Sequence, residues 1–262
     1  MKKEWNEALD LSLKAGRDAA RLLVSGFGGG QLEISGKEGR ELVTAWDRKA
    51  EELIIRELER SNWPVIAEES KPRLPGSPKA YWAVDPLDGT NNFAHGVPHF
   101  AVSIALMEEG LPVAGVVIDP LKREEFTAVK GGGSHLNGRR ISISGQTKLS
   151  QALLATGFSY HRSEENYNNT ENFKRVVLRC GGIRRMGAAS LDLAYVACGR
   201  FDGYWETDLK IWDMSAGVLL VLEAGGRVTR LNTSPWDPER DDVLAAVPAL
   251  HKALAGLMDR YD

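Results

Sequence analysis

Residues 81–93 read YWAVDPLDGTNNF, and the rest of the chain is organised around this stretch. The apolar run Tyr81 to Val84 predicts a buried strand that delivers two carboxylates, Asp85 and Asp88, into a turn containing Pro86 and Gly89. Two acids three residues apart at the end of a buried strand do not both stay ionised in a partly dry site unless cations compensate them or one takes a proton. A divalent metal is the obvious compensation. Oxygen ligands in this setting fit Mg2+, which shares its octahedral shell with water and substrate phosphate. Zinc fits poorly: the five histidines form no HExxH pattern, and His95 and His99 enclose Gly96 and Pro98, which break a helix that would put both on one face. Those two read as structural or rim residues. Gly89-Thr90 then allows close backbone approach and adds a hydroxyl, and a helix starting near Asn91 would turn its free N–H groups toward an anion. Ordinary Asp-Gly turn chemistry is the competing reading of these residues taken alone.

Further acids stand at comparable places. Ile66-Ala67 ends in Glu68-Glu69-Ser70, the same strand-to-acid layout as Val84-Asp85, so adjacent strands would place Glu68 beside Asp85; a solvated loop is the alternative. Far downstream, Lys210 to Ala216 puts Asp213 at the opening of an apolar helix, where Asp is also a common N-cap. Upstream, Trp5, Ala8, Leu9, Leu13, Gly16, Ala20 and Leu23 recur at three- and four-residue steps and predict an amphipathic helix over 4–25, stopped by Gly28-Gly29-Gly30. A second helix starts at Thr44, with Asp47 three residues on as in a capping box, and runs through Leu58 to Asn62-Trp63-Pro64. On that pattern Asp47 needs no role beyond the cap.

Short β-prone runs follow at Val65 to Ala67, Tyr81 to Val84, Ala101 to Met107 and Val113 to Ile118, the last two forming a hairpin that turns at Glu108-Glu109-Gly110. Glu125 to Val129 predicts another strand, and the Gly131-Gly132-Gly133 after it is turn geometry, because the Lys-Ser/Thr of a P-loop does not follow. From about residue 140 strands and helices alternate: Leu153 to Gly157, a helix over 190–198, a strand over 201–205, and a helix from about 213 to 224 ending at Gly225-Gly226. The pattern predicts mixed α/β architecture in two halves, 1–139 and 140–262, that share one continuous core.

Composition narrows the functional classes. The 33 Lys and Arg against 36 Asp and Glu give a net charge of −3, which argues against a broad basic face for nucleic acid, so an anionic partner must be held locally. Cys180 and Cys198, the only cysteines, make neither a disulfide framework nor a spaced metal pair, as in a reducing compartment. Glu4, Glu7, Asp10 and Asp18 interrupt the N-terminal apolar residues, and no apolar run approaches the ~18–20 residues of a membrane span. The expectation is a cytoplasmic protein.

Asp85-Pro86-Leu87-Asp88-Gly89-Thr90, with Asn92-Phe93 after it, resembles the first signature of the inositol monophosphatase family of Mg2+-dependent, lithium-sensitive phosphatases. Trp212-Asp213, with Ala216-Gly217 and Glu223-Ala224-Gly225-Gly226, resembles the second. The resemblance continues through Leu42-Val43-Thr44 with Asp47, Glu68-Glu69-Ser70, and Gly187-Ala188-Ala189 with Glu206, and so covers roughly residues 4 to 250. It implies the layered αβαβα sandwich of the sugar-phosphatase type, shared with fructose-1,6-bisphosphatase, with an active site between the halves of each subunit of a homodimer. It implies that Glu68, Asp85 and the carbonyl of Leu87 hold a first Mg2+, Asp85, Asp88 and Asp213 a second, and Glu68 with waters a weaker third. Thr90 and Glu68 would orient the attacking water, with Asp47 holding Thr90. Gly89 and Thr90 would meet the phosphate through backbone N–H groups, beside Glu68, Leu87 and Asp88, while Gly187, Ala188, Ala189, Glu206 and Asp213 would meet the alcohol part of the substrate.

Some positions depart from the family's pattern. Ala188 stands where many members carry Ser or Thr, Ala67 replaces the usual Gly before the acidic pair, and Lys37 lies one residue from where the family's loop lysine aligns, so Lys37 is left out of the site. The implied reaction is hydrolysis of a small phosphorylated polyol or sugar. Asn91-Asn92-Phe93-Ala94-His95 resembles the inositol type, which puts myo-inositol 1-phosphate first and fructose 1,6-bisphosphate or a nucleotide phosphate such as 3'-phosphoadenosine or NADP second. A binding protein that kept the fold and lost the chemistry would lack a metal carboxylate or the Thr, and none is lost. Neither nucleic acid nor membrane is an expected partner.

Overall fold

The structure is a computed structural model of the chain and describes residues 2–28, 34–36, 42–70, 76, 78–159 and 169–259. Helix α1 (Lys3–Gly26) forms over the predicted span and buries Ala8, Gly16, Ala20 and Leu23 of the predicted stripe, but its buried face is shifted to include Ser12, Ala15 and Ala19, while Trp5, Leu9 and Leu13 stay half-buried. A short antiparallel pair, β1 (Ile34–Gly36) and β2 (Leu42–Thr44), leads into α2 (Ala45–Leu58). Thr44 caps α2 in the predicted capping box: Asp47 Oδ2 accepts the Thr44 N–H at 2.8 Å and the Thr44 hydroxyl at 2.6 Å. The Trp46 ring of α2 fills the space beside Gly26, where a Cβ would come within 2.3 Å of it, so the two helices cross closely.

Next comes a seven-stranded sheet in the order β3-β4-β5-β6-β7-β8-β9. Its strands are β3 (Val65–Ala67), β4 (Ala80–Asp88), β5 (Ala101–Glu108), β6 (Leu111–Asp119), β7 (Glu124–Val129), β8 (Gly133–Leu136) and β9 (Arg139–Arg140). Only β3 and β4 run parallel, and the short helix α3 (Thr90–Ala94) lies between β4 and β5. Alternation sorts the side chains. Trp82, Val84, Val102, Ile104, Leu106, Val116 and Ile118 pack with α1 and α2, whereas the small Ala83, Ala101 and Ala105 line the opposite face. Hairpin β5-β6 pairs Glu108 with Leu111 across a two-residue turn at Glu109-Gly110, both with positive φ as a type I′ turn requires.

The chain then runs through β10 (Leu153–Thr156), α4 (Thr170–Val177), β11 (Gly182–Arg184), α5 (Ala189–Ala197), β12 (Gly203–Glu206), α6 (Ile211–Glu223), β13 (Arg227–Thr229), β14 (Val243–Ala246) and α7 (Pro248–Ala255). These strands make a five-stranded sheet in the order β11-β10-β12-β14-β13. Helices α5 and α6 lie between the two sheets, and their Leu191, Leu193, Met214, Leu220 and Val221 share one core with Ala83, Ala105 and Tyr204. Gly115 of β6 admits the backbone of α6, since a Cβ there would meet Ala216 Cα at 3.1 Å. The outer face of the five-stranded sheet is covered by α7 and the end of α4, around Leu154, Val176, Trp205, Leu244, Leu250 and Leu254. The result is the expected αβαβα sandwich. The glycine run at 131–133 is a turn as predicted, and the Glu223 carboxylate at the end of α6 accepts the Gly131 and Gly133 N–H groups at 2.8 Å each.

Two local readings are corrected. Strand β4 does not stop at Val84 but continues through Asp88, because β5 supplies ladder partners that far: Ser103 for Asp85 and Ala101 for Asp88. Helix α6 begins at Ile211, so Asp213 is its third residue rather than its N-cap. Among the described residues no helix is long and apolar enough to cross a membrane. Lys37 lies outside the described residues.

Candidate active site

The pairing of β4 with β5 decides how the two central acids point. From Asp85 to Asp88 is three steps on β4, but from Ser103 to Ala101 is two on β5, so β4 carries one extra residue in a bulge. Without it, residues three apart would face opposite sides of the sheet. With it, both acids sit opposite residues that share a face, and that face is turned toward α6. The Ser103 hydroxyl donates to the Trp212 carbonyl of α6 at 3.1 Å, and Ala101 packs in the core between the sheets. Pro86, which has no N–H to give, lies inside the bulge, where proline is tolerated.

The predicted residues are brought to this region from several elements, with Asp85, Leu87 and Asp88 together on β4. Glu68 follows β3, and its N–H donates to the Val84 carbonyl at 3.2 Å, which sets it beside Asp85. Asp85 Oδ1 accepts the Leu87 N–H at 2.9 Å. Leu87 buries its side chain among α1 and α2 residues and offers its carbonyl, 3.0 Å from Thr90 Oγ1. That same hydroxyl stands 2.9 Å from Asp47 Oδ1, so Asp47 holds the first turn of α3 as well as its own cap. Gly89 precedes α3 at φ 95°, and a Cβ there would lie 3.1 Å from the His99 carbonyl and 3.3 Å from the Gly187 carbonyl, so only glycine fits.

The second half contributes the rest. Asp88 accepts the N–H groups of Ala189 (3.2 Å) and Ser190 (2.8 Å) and the Ser190 hydroxyl (2.5 Å). The N-cap of α5 is Ala188, whose side chain cannot cap, and Asp88 serves this helix from about 100 residues away. Ala188 is buried in the core and has no hydroxyl to offer a ligand. Asp213 lies in the first turn of α6 and accepts the Lys210 N–H at 2.7 Å. Glu206 ends β12 and takes a hydrogen bond from the Tyr204 hydroxyl. Two histidines behave as expected: His95 is exposed, and His99 is buried against the Tyr195 ring.

The electrostatics are those of acids without cations. Burial, then the charges of Glu68, Asp88 and Asp213, raise the Asp85 carboxyl well above the usual range. Burial likewise raises Asp88 to about 6, against the pull of the Ser190 and Ala189 donors. Burial and the charge of Glu68 raise Asp213. Burial raises Glu206 to about 7, while the Tyr204 hydroxyl and Arg185 oppose the rise. Among the described residues no Lys or Arg forms an ion pair with Asp85, Asp88 or Asp213. The donor set is therefore hard oxygen with unbalanced negative charge, which fits a divalent cation such as Mg2+. Among the described residues no group of three or more His, Cys, Asp or Glu side chains stands arranged as a ready metal cage.

Three supporting roles escape the sequence reading. Glu51, buried one turn after Asp47 on the apolar face of α2, accepts the Glu69 N–H at 2.8 Å and the Ser70 N–H at 2.9 Å, and so fixes the loop that carries Glu68. An acid repeated at i and i+4 within an apolar stripe was the available signal. Asn92 donates to the carbonyls of His99 (2.7 Å) and Met186 (2.9 Å) and so joins α3 to the approach to α5. Ser190 holds Asp88, a contact across 102 residues that no local pattern announces.

This layered fold is shared by two similar solved structures. An extragenic suppressor protein suhB from Bartonella henselae matches with a TM-score of 0.90 at 37% identity, covering 98% of this chain and 100% of that one. An inositol monophosphatase from Anabaena (Nostoc) sp. matches at 0.88 and 36%, covering 97% and 96%. The chain belongs to the inositol monophosphatase family, which matches it over residues 4–262. It is 41% identical over 256 residues to an inositol-1-monophosphatase of Rhizobium meliloti, covering 96% of each chain. It is also 44% identical over 254 residues to a protein of Pseudomonas aeruginosa named Nus factor SuhB, covering 94% of this chain and 93% of that one. Membership makes it a phosphoric monoester hydrolase of a generally metal-dependent family.

Proposed function

We propose that the chain hydrolyses myo-inositol 1-phosphate, or a close small polyol phosphate, to the alcohol and inorganic phosphate with two or three Mg2+ ions. The observation that carries this reading is the β4 bulge, which turns Asp85 and Asp88 to one face beside Asp213 and leaves their charge uncompensated. Glu68, Asp85 and the Leu87 carbonyl would hold one ion, Asp85, Asp88 and Asp213 a second, and Glu68 a third. When bound, Mg2+ supplies positive charge that lowers the pKa of water and offsets charge on the phosphoryl and departing oxygens. Thr90, fixed by Asp47, and Glu68 orient the attacking water. The N–H groups of Gly89 and Thr90 face the phosphate, where preorganised donors stabilise charge spread over its oxygens. Gly187, Ala188, Ala189, Glu206 and Asp213 border the alcohol part.

The inositol assignment is supported by the names of relatives such as the Rhizobium protein, and fructose 1,6-bisphosphate and nucleotide phosphates are its competitors within the same chemistry. A homodimer, sensitivity to lithium and residence in the cytoplasm go with the family likeness and rest on it. Likeness to the Pseudomonas protein favours a second reading, a Nus factor. The acids separate the two: a role exercised by binding alone survives Asp88→Asn, and hydrolysis does not.

Phosphate release from inositol 1-phosphate, fructose 1,6-bisphosphate, adenosine 3',5'-bisphosphate and NADP, each with Mg2+, with EDTA and with added Li+, tests the proposal. Turnover of the inositol ester that needs Mg2+ and falls with Li+ is expected. Faster turnover of another ester would move the substrate assignment, and no turnover of any with Mg2+ present would overturn the reaction.

A further inference from the structure

Glu206 is seated by a residue that the catalytic reading does not use. Gly157 immediately follows β10, whose Thr156 pairs with Trp205 of the parallel strand β12, so Gly157 lies alongside Glu206. A Cβ on Gly157 would stand 1.9 Å from Glu206 Oε1, 2.0 Å from Oε2 and 2.1 Å from Cδ. These are its three nearest neighbours, and the Gly157 backbone is outside the left-handed region, so the closest obstruction to an alanine there is the Glu206 carboxyl. The backbone at this point is pinned. Buried Asn169 donates to the Gly157 carbonyl at 2.7 Å and to Thr156 Oγ1 at 2.9 Å, and its own oxygen accepts the Trp205 indole N–H at 2.8 Å. On its other side the carboxylate is held by the hydroxyl of the buried Tyr204.

We propose that Gly157 is a positioning residue that sets alcohol selectivity: its missing side chain is the space in which the Glu206 carboxylate lies, with Asn169 fixing the floor and Tyr204 the side of that space. The proposal deepens the reading of Glu206 as a contact to the alcohol part of the substrate and rests on it. Because the obstructing atoms are the free end of a side chain, Gly157→Ala is accommodated by swinging Glu206 away and leaves the sheet in place.

The test compares inositol 1-phosphate with 4-nitrophenyl phosphate, whose alcohol carries no neighbouring hydroxyl groups, for the full-length wild type and variants with Mg2+, together with melting temperatures and a crystal structure of Gly157→Ala. The expected result is a fall of about tenfold or more in kcat/KM for the inositol ester, mainly through KM, with the nitrophenyl ester within about twofold of wild type. A melting temperature lowered by no more than about 10 °C, the cost of the displaced Tyr204 hydrogen bond, and a carboxylate displaced by more than about 1 Å complete it. Adding Glu206→Asp, one methylene shorter, to Gly157→Ala recovers part of the selectivity. Equal losses on both esters, or a Glu206 carboxylate that has not moved, overturn the proposal. Glu206→Gln distinguishes the two failures. If it alters the ratio of the esters while Gly157→Ala does not, the contact stands and the seat is wrong; if it leaves the ratio unchanged, the contact reading falls and takes selectivity by Gly157 with it.

Discussion

Gly217→Ala asks whether α5 and α6 pack as closely as the site requires. Gly217 lies in the second turn of α6, and a Cβ there would fall 2.5 Å from Leu193 Cβ and 2.7 Å from Leu193 Cδ1 on α5. In an isolated helix the change would stabilise by about 1 kcal/mol, the difference in helix propensity between the two residues. Here Leu193 is fully buried and its Cβ is fixed to the α5 backbone, so it cannot turn aside and the helices must separate. Overpacking of this kind costs about 1–3 kcal/mol. The net effect is a loss of about 0–2 kcal/mol, a fall in melting temperature of up to about 8 °C for a chain of this size. Activity suffers more. The N-terminus of α5 holds Asp88 and the first turn of α6 carries Asp213, so pushing the helices apart misplaces two acids together. A displacement on the order of 1 Å costs about a hundredfold in rate. Thermal unfolding and steady-state phosphate release measure the two effects side by side. A variant more stable than wild type with undiminished turnover would refute the reasoning, because it would mean that the helices have slack to give.

Asp88→Asn and Asp213→Asn each lower kcat/KM by about a thousandfold at saturating Mg2+ while the protein stays folded, and near-normal turnover in either would remove that residue from the ligand set. Without divalent ions, stability falls as pH rises from about 4 to 7, because Asp88 and Glu206, raised to about 6 and about 7, keep protons in the folded chain that the unfolded chain has already released. For Asp88 the change is on the order of 3 kcal/mol. Urea unfolding at pH 5 and pH 8 with and without Mg2+ checks this, and a slope of opposite sign in the metal-free protein counts against it. Glu51→Gln weakens the hold on Glu69 and Ser70, lowers stability by about 1–2 kcal/mol and raises the Mg2+ concentration for half-maximal activity, all read from one metal titration and one melt.

The sequence discloses what local rules govern. The spacing from Trp5 to Leu23 and the Thr44/Asp47 box give α1 and α2 almost to the residue, and Glu109-Gly110 marks its hairpin. Acids at the ends of apolar strands show where chemistry gathers. What stays hidden depends on partners distant in the chain. The bulge that turns Asp85 and Asp88 to one side exists only against Ser103 and Ala101 of β5, and the reach of Asp88 to Ser190 has no trace in either segment alone. Strand β14 (Val243–Ala246) is a four-residue apolar run that fits helix or strand equally, and pairing with β12 and β13 makes it a strand.

Asp88 fills two offices at once, and this shapes the routes by which such a chain can change over generations. To α5 it is an acceptor for N–H groups that no residue of that helix caps; to the proposed ion site it is a charge. An asparagine keeps an acceptor and gives up the charge, and a glutamate keeps the charge but is too long for the helix. A lineage that sheds hydrolysis therefore has a single-step exit that costs α5 one of its accepted N–H groups, whereas one that keeps hydrolysis has no neighbouring alternative to drift into.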